Sequence, residues 1–272
     1  MASTAAATTS ATATETAIER QPITASHILT LFPEIDSSLA TTNTDDDNSV
    51  LDGYDAEQVR LMEEVCIVLD KDDMPIGSVS KKVCHLMKNI NLGLLHRAFS
   101  VFLFTPDHKL LLQQRASEKI TFPNMWTNTC CSHPLGIPGE TGANLEAATL
   151  GVKRAAVRKL EQELGIPNDQ VPIEKFKFLT RIHYLAESDG VWGEHEIDYI
   201  LFIQTPVTVH PNPNEVQATK LVSATELKEM FTDPTLKFTP WFKLICNTML
   251  FEWWDSLHNL DAFVNEQQIR RM

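Results

Sequence analysis

From Leu145 to Leu164 apolar residues recur at 145, 148, 152, 155, 156, 160 and 164, the stripe of an amphipathic helix. Asn144 is placed to cap it, and Gly165 and Pro167 to stop it. Shorter elements surround this helix. Tyr54 to Met62 has helical character, and Val65 to Leu69 reads as a strand ending in a turn at Asp70 to Asp73. Ala98 to Phe104 is rich in aromatic and β-branched residues. Thr105-Pro-Asp-His108 breaks it and Lys109 to Gln114 returns, so 98–114 reads as a hairpin. Pro123, Pro134 and Pro138 keep 121–140 largely non-helical. Phe176 to Ala186 and Ile197 to Gln204 are predicted strands flanking a loop from Glu187 to His195. Lys220 to Ser223 is another strand, and Thr225 to Phe231 a short helix. A long helix opens at Thr239-Pro240, a cap followed by proline at the first helical position, and runs to about Leu257. Without internal repeats, this order predicts an α+β fold, a mixed sheet flanked by helices in a single domain.

The first 50 residues lack such a pattern. Residues 1 to about 20 are an Ala/Thr/Ser tract, and Asp45-Asp46-Asp47 sits in a polar linker, so 1–50 is expected to be a disordered, low-complexity extension. Within it, Ile28 to Ile35 is apolar enough to dock locally. The folded domain is expected over 51–272. The extension has no secretory apolar core, and no arginine before Arg20 to suit a transit peptide.

Composition narrows the function. A net charge of -13 argues against a nucleic-acid or anionic-membrane surface, so any anion must be met by locally gathered cations. Five cysteines, an odd number, do not form a disulfide framework in a chain this long and point to a reducing compartment. No run approaches the roughly 20 apolar residues of a membrane span. The cytoplasm is therefore the expected location, with the peroxisome the alternative raised by a degenerate C-terminal Arg270-Arg271-Met272.

Chemistry concentrates in Trp126 to Pro134. Side chains two apart share a face of extended backbone, so Cys131 and His133 can look into one cavity. The plainer alternative is a buried structural thiol. His85, His96, His133, Glu194 and Glu196 are candidate metal ligands from separate segments, and imidazoles with carboxylates suit Mg²⁺, Mn²⁺ or Zn²⁺. Taken singly, each fits a surface charge or a satisfied core histidine equally well. Lys81, Arg115 and Lys119 supply local positive charge that can neutralise a diphosphate, or simply face solvent.

Residues 158–166, RKLEQELGI, resemble the end of the Nudix box, a helix whose glutamates hold Mg²⁺ against a diphosphate. Arg158, Leu160, Glu163, Gly165 and Ile166 match that box; Asn144, Leu150, Lys159 and Gln162 depart from it, leaving too few carboxylates for a hydrolytic metal cluster. With KKVCHL (81–86), LLHRAFS (94–100), LLLQQRASEKITFPNMWTNTCCSHPL (110–135), WGEHEIDYILF (192–202) and FTPWF (238–242), the chain resembles the type I isopentenyl-diphosphate isomerases of the Nudix superfamily, fungal members most of all. The resemblance implies interconversion of isopentenyl and dimethylallyl diphosphate in isoprenoid (sterol precursor) synthesis. It further implies Cys131 and Glu196 as catalytic residues, with Tyr184 and Trp241 as active-site aromatics. Lys81, Arg115 and Lys119 would contact the diphosphate. His85, His96, His133, Glu194 and Glu196 would hold one metal, and Glu163 a second Mg²⁺ carried with the substrate. Two rivals stand beside this: a Nudix diphosphohydrolase, and a non-catalytic zinc-binding thiol protein using Cys130, Cys131, His133 and His85.

Overall fold

The computed structural model describes residues 49–272 apart from residue 266. The extension expected over 1–50 therefore lies, but for its last two residues, outside the described residues.

Helix α1 (Ala56–Leu61), capped by Asp55, leads into the hairpin β1 (Val65–Leu69) and β2 (Pro75–Ser80). The short helices α2 (Lys81–His85) and α3 (Met87–Ile90) precede β3 (Leu95–Phe104), β4 (Leu110–Arg115), β5 (Trp126–Thr127) and β6 (Cys130–Ser132). Helix α4 (Leu145–Leu164) is followed by β7 (Lys177–Glu187), β8 (Gly193–Gln204) and β9 (Val216–Val222). Helices α5 (Ala224–Met230), α6 (Pro240–Ile245) and α7 (Phe251–Asp255) and strand β10 (Ile269–Arg271) complete the chain. The main sheet runs β10-β7-β8-β3-β1-β2, with β4, β5, β6 and β9 attached through β3 and β4.

The sheet separates two cores. Odd positions of β3 and β8, such as Phe99, Val101, Ile197 and Tyr199, pack with α4. Phe102, Ile200 and Phe202 on the opposite face pack with α5, α6 and α7. Strand β3 is buried at every position, as befits a strand covered on both faces. Among the described residues, no helix is long and apolar enough to cross a membrane.

Helix α4 spans the predicted residues because its terminal signals act as their chemistry requires. The Asn144 side chain accepts from the Ala147 N–H at 2.9 Å, and Gly165 closes the helix at φ +60°. A Cβ on Gly151 would lie 2.3 Å from the Glu140 carbonyl oxygen, so glycine there lets the 137–141 segment lie against the helix.

Elsewhere the structure departs from the pattern. The expected hairpin over 98–114 is joined by one pair, Phe104 with Leu110, after which β4 turns to β9. The edges of β3 are already occupied: β8 runs along one, while β1 and then β6 take the other. The loop expected from Glu187 to His195 is shorter, because β8 begins at Gly193 and makes Glu194 and Glu196 strand residues. The C-terminal helix contains a wide π turn, Cys246–Leu250, between α6 and α7. Strands β2 and β10 had no sequence signal: β2 is a mostly half-buried edge strand, and β10 is three residues long. Strand β10 pairs in parallel with β7, and the Met272 N–H donates to His183 O at 3.0 Å, so the Arg-Arg-Met residues are engaged at the sheet edge.

Candidate active site

Register assembles the site. Strand β8 runs parallel to β3 with His96 opposite Glu196, which puts an imidazole and a carboxylate side by side. Glu194 lies two residues earlier on the same face. On the other edge of β3, Ser100 pairs with Cys131 of β6, and the chain continues to His133. His85 closes α2, where its Nδ1–H donates to Lys81 O at 2.6 Å and turns Nε2 inward.

His85, His96, His133, Glu194 and Glu196 are all buried, each offering a donor atom, and these atoms lie within 4.8 Å of one another. His85 Nε2 is 2.8 Å from Glu194 Oε2, and His133 Nε2 is 2.8 Å from Glu196 Oε1. Despite these short distances, Nε2 of His85, Nε2 of His96 and Oε2 of Glu194 are buried without a hydrogen bond of good geometry. Such atoms are costly unless something satisfies them together, and a divalent cation among three imidazoles and two carboxylates would do so. Burial, reinforced by His85 and His96, holds the His133 pKa well below its ordinary value, which favours the neutral ring a ligand requires. The residues fit a metal.

Beside the cluster opens a cavity lined by Cys131, Tyr184, Trp241 and the polar residues Lys81, Arg115, Lys119 and Glu163, together with His133, Glu194 and Glu196. The structure thus brings every sequence-predicted site residue to one place. The two cysteines diverge as alternation dictates: Cys131 packs toward the C-terminal helices, whereas Cys130 joins the core under α4. The Cys130 thiol donates to Glu163 Oε2 at 3.6 Å. Burial pushes the Cys131 thiol up to about 12, with Arg115 opposing the rise. Tyr184 donates to Glu196 Oε2 at 2.5 Å, and burial, then the Glu196 charge, raises its pKa well above the phenol range. Burial works to raise the Glu196 carboxyl, but the His96 and Tyr184 contacts outweigh it and leave it below its ordinary value.

Two predicted anion contacts are already engaged. Arg115 gives Nε and Nη2 to the carbonyls of Thr121 and Phe122, at 2.7 to 3.3 Å. Lys119 pairs with buried Glu215. Spacing could not reveal either partner. Phe122, at φ +48°, is a bulky residue in left-handed backbone, a conformation costing of the order of 1–3 kcal/mol.

Sequence reasoning also missed several supports. Glu140 takes a two-pronged contact from the box arginine, Arg158, at 2.6 and 2.8 Å; Arg158 also donates to His133 O at 3.2 Å. Lys159, standing where the box has a glutamate, lies 3.6 Å from Glu163. Asn128 accepts from the Trp241 indole at 3.3 Å. Asp198 takes a 2.8 Å bond from Ser100, and burial, then Glu196, raises its pKa well above the carboxylate range. Only the proximity of Arg158 and Lys159 to the box glutamate was a usable signal.

A sheet with a long helix carrying a depleted glutamate box, and a five-donor pocket on the opposite face, defines a Nudix-type enzyme; residues 94–242 match the NUDIX domain family. The chain is 66% identical to an isopentenyl-diphosphate delta-isomerase of Aspergillus fumigatus, over 96% of this chain and all of that protein. It is 65% identical to the Gibberella zeae isopentenyl-diphosphate delta-isomerase, covering 95% of this chain and 99% of that one. Against the Candida albicans enzyme of the same name the identity is 57%, over 88% and 93%. The chain belongs to the isopentenyl-diphosphate delta-isomerase family.

Proposed function

We propose that this enzyme interconverts isopentenyl and dimethylallyl diphosphate by metal-dependent proton addition and removal through a tertiary carbocation, in isoprenoid (sterol precursor) biosynthesis. The observation that carries the mechanism is Glu196 itself, which touches the imidazole cluster through one oxygen and Tyr184 through the other. A bound Mg²⁺, Mn²⁺ or Zn²⁺ would be held by His85, His96, His133, Glu194 and Glu196, and would fix Glu196 and bias its protonation. Lys81, Arg115 and Lys119 receive the diphosphate, and Glu163 would hold a second Mg²⁺ carried with the substrate.

In the forward direction Glu196, assisted by Tyr184, delivers a proton to C4, and Cys131 removes one from C2. The reaction ends with a thiol and a carboxylate. Each forward turnover must therefore return a proton from Cys131 to Glu196 before the next. Trp241, buried beside Tyr184 with ring centroids 6.1 Å apart, offers a π face to the cation. Enclosure keeps water from trapping that cation.

Conversion of isopentenyl to dimethylallyl diphosphate, lost on EDTA treatment and restored by divalent metal, tests the whole proposal. Release of phosphate instead would favour the hydrolase. Zinc retention lost with Cys131→Ser would favour the thiol protein.

Trp241→Leu should lower kcat far more than it raises KM, whereas Trp241→Phe, which keeps a weaker π face, should fall modestly. A desolvated cation–π contact is worth about 2 kcal/mol, and only the transition state and intermediate carry the charge. Equal rates for Phe and Leu at matched stability would leave Trp241 a mere wall.

The catalytic domain is proposed to be 51–272. Removing residues 1–45 should leave kcat/KM nearly intact, since that tract holds none of the site residues; a large loss in the folded, truncated protein would assign it a part in catalysis. The proposed compartment is the cytoplasm.

A further inference from the structure

Four non-glycine residues among those described have left-handed backbone: Asp73, His108, Phe122 and Asn124. Asp, His and Asn tolerate that region; a buried phenylalanine does not without support. Two supports hold Phe122. Its N–H donates to Ser188 Oγ at 2.9 Å, and its carbonyl, with that of Thr121, is gripped by Arg115. The result is a ring set edge-on to Trp241, centroids 5.2 Å apart and planes at 88°. Arg115 also lies over the same indole, its Cζ 5.8 Å from the centroid.

We propose that Phe122 is a positioning residue, through which diphosphate binding at Arg115 sets the orientation of Trp241 toward the reacting carbons. This rests on the isomerase reading, in which Arg115 meets the diphosphate and Trp241 faces the cation. The guanidinium is a rigid plane. With Nε and Nη2 committed to the loop carbonyls, Nη1 remains for the anion. A diphosphate that draws on this plane therefore moves, or locks, the carbonyls it holds. The strained backbone at Phe122 makes that stretch the responsive one, and the ring carries the change to the indole. Binding energy from the non-reacting end of the substrate is thereby used at the carbons that react.

Phe122→Leu keeps apolar bulk and removes the aromatic edge. Below the melting range of both proteins, its kcat should fall about tenfold, equivalent to about 1.4 kcal/mol, with KM held within about twofold. A merely structural residue would lower the melting temperature and leave this split absent. Combined with Trp241→Leu, the loss should be no greater than for Trp241→Leu alone, because the ring acts through the indole. Multiplying losses, or a rise in KM alone, would overturn the proposal.

A second measurement does not depend on turnover. The Trp241 indole N–H resonance, identified by its absence in Trp241→Phe, should shift when inorganic pyrophosphate with Mg²⁺ is added to the wild type. In Phe122→Leu that pyrophosphate-induced shift should largely vanish. An equal shift in both proteins, or none in the wild type, would overturn the linkage. Absence of isomerase turnover in the wild type would instead strike the proposed function, leaving the resonance experiment to judge Phe122.

Discussion

Cys131→Ala is expected to lower isomerisation by about 10²–10⁴-fold, the range for loss of a positioned proton-transfer group, while metal content and circular dichroism stay as in the wild type. Cys130→Ala should keep most of the turnover. The contrast follows from one strand: Cys131 lines the cavity, whereas Cys130 faces α4 and Glu163. Steady-state rates for both variants, at equal folded fraction, decide the matter. If Cys130→Ala proved the silent variant's opposite, the thiol facing the helix would be the reactive one and the cavity assignment would fall.

Glu196→Gln should be comparably severe, about 10²–10⁴-fold in kcat, and should also weaken metal retention. The amide preserves shape and can still accept from Tyr184, but it cannot carry the proton. Tyr184→Phe removes only the partner of Glu196 Oε2 and should cost less. Metal analysis alongside kinetics separates the two duties of Glu196. Turnover within a few-fold of wild type with metal still bound would remove Glu196 from proton transfer and direct attention to Tyr184.

What the sequence reveals depends on whether the relevant physics is local. Helix α4 was legible end to end because its stripe, cap and stop lie within one stretch. Two-residue spacing let Cys131 pair with His133, and Glu194 with Glu196, because a strand repeats every two residues. Pairing of His96 with Glu196 spans 100 positions and has no local signature; family resemblance supplied what periodicity could not. The partners of buried polar groups were equally hidden. Nothing near Arg158 in sequence indicates Glu140, and nothing near Lys119 indicates Glu215. The hairpin over 98–114 forms but is cut short to one pair for the same reason, since competition for the edges of β3 is decided by distant strands. Phe122 gave no warning either, because left-handed backbone is normally announced by glycine or asparagine.

Strand β8 holds two incompatible halves in phase: Glu194, Glu196 and Asp198 toward the site, then Ile200 and Phe202 in the core of the same face. This makes the chain unequally tolerant of length change. Losing one residue from the turn at 188–192 alters a connection and leaves the parity of the strand untouched. Losing one between Glu196 and Ile200 forces a choice: either the apolar half keeps its seat and the carboxylates rotate to the far face, or the carboxylates stay and the core opens. A length change in the turn at 188–192 is therefore expected to be borne far better than an odd-numbered one inside β8, which must be absorbed by a bulge or expose one of the two halves.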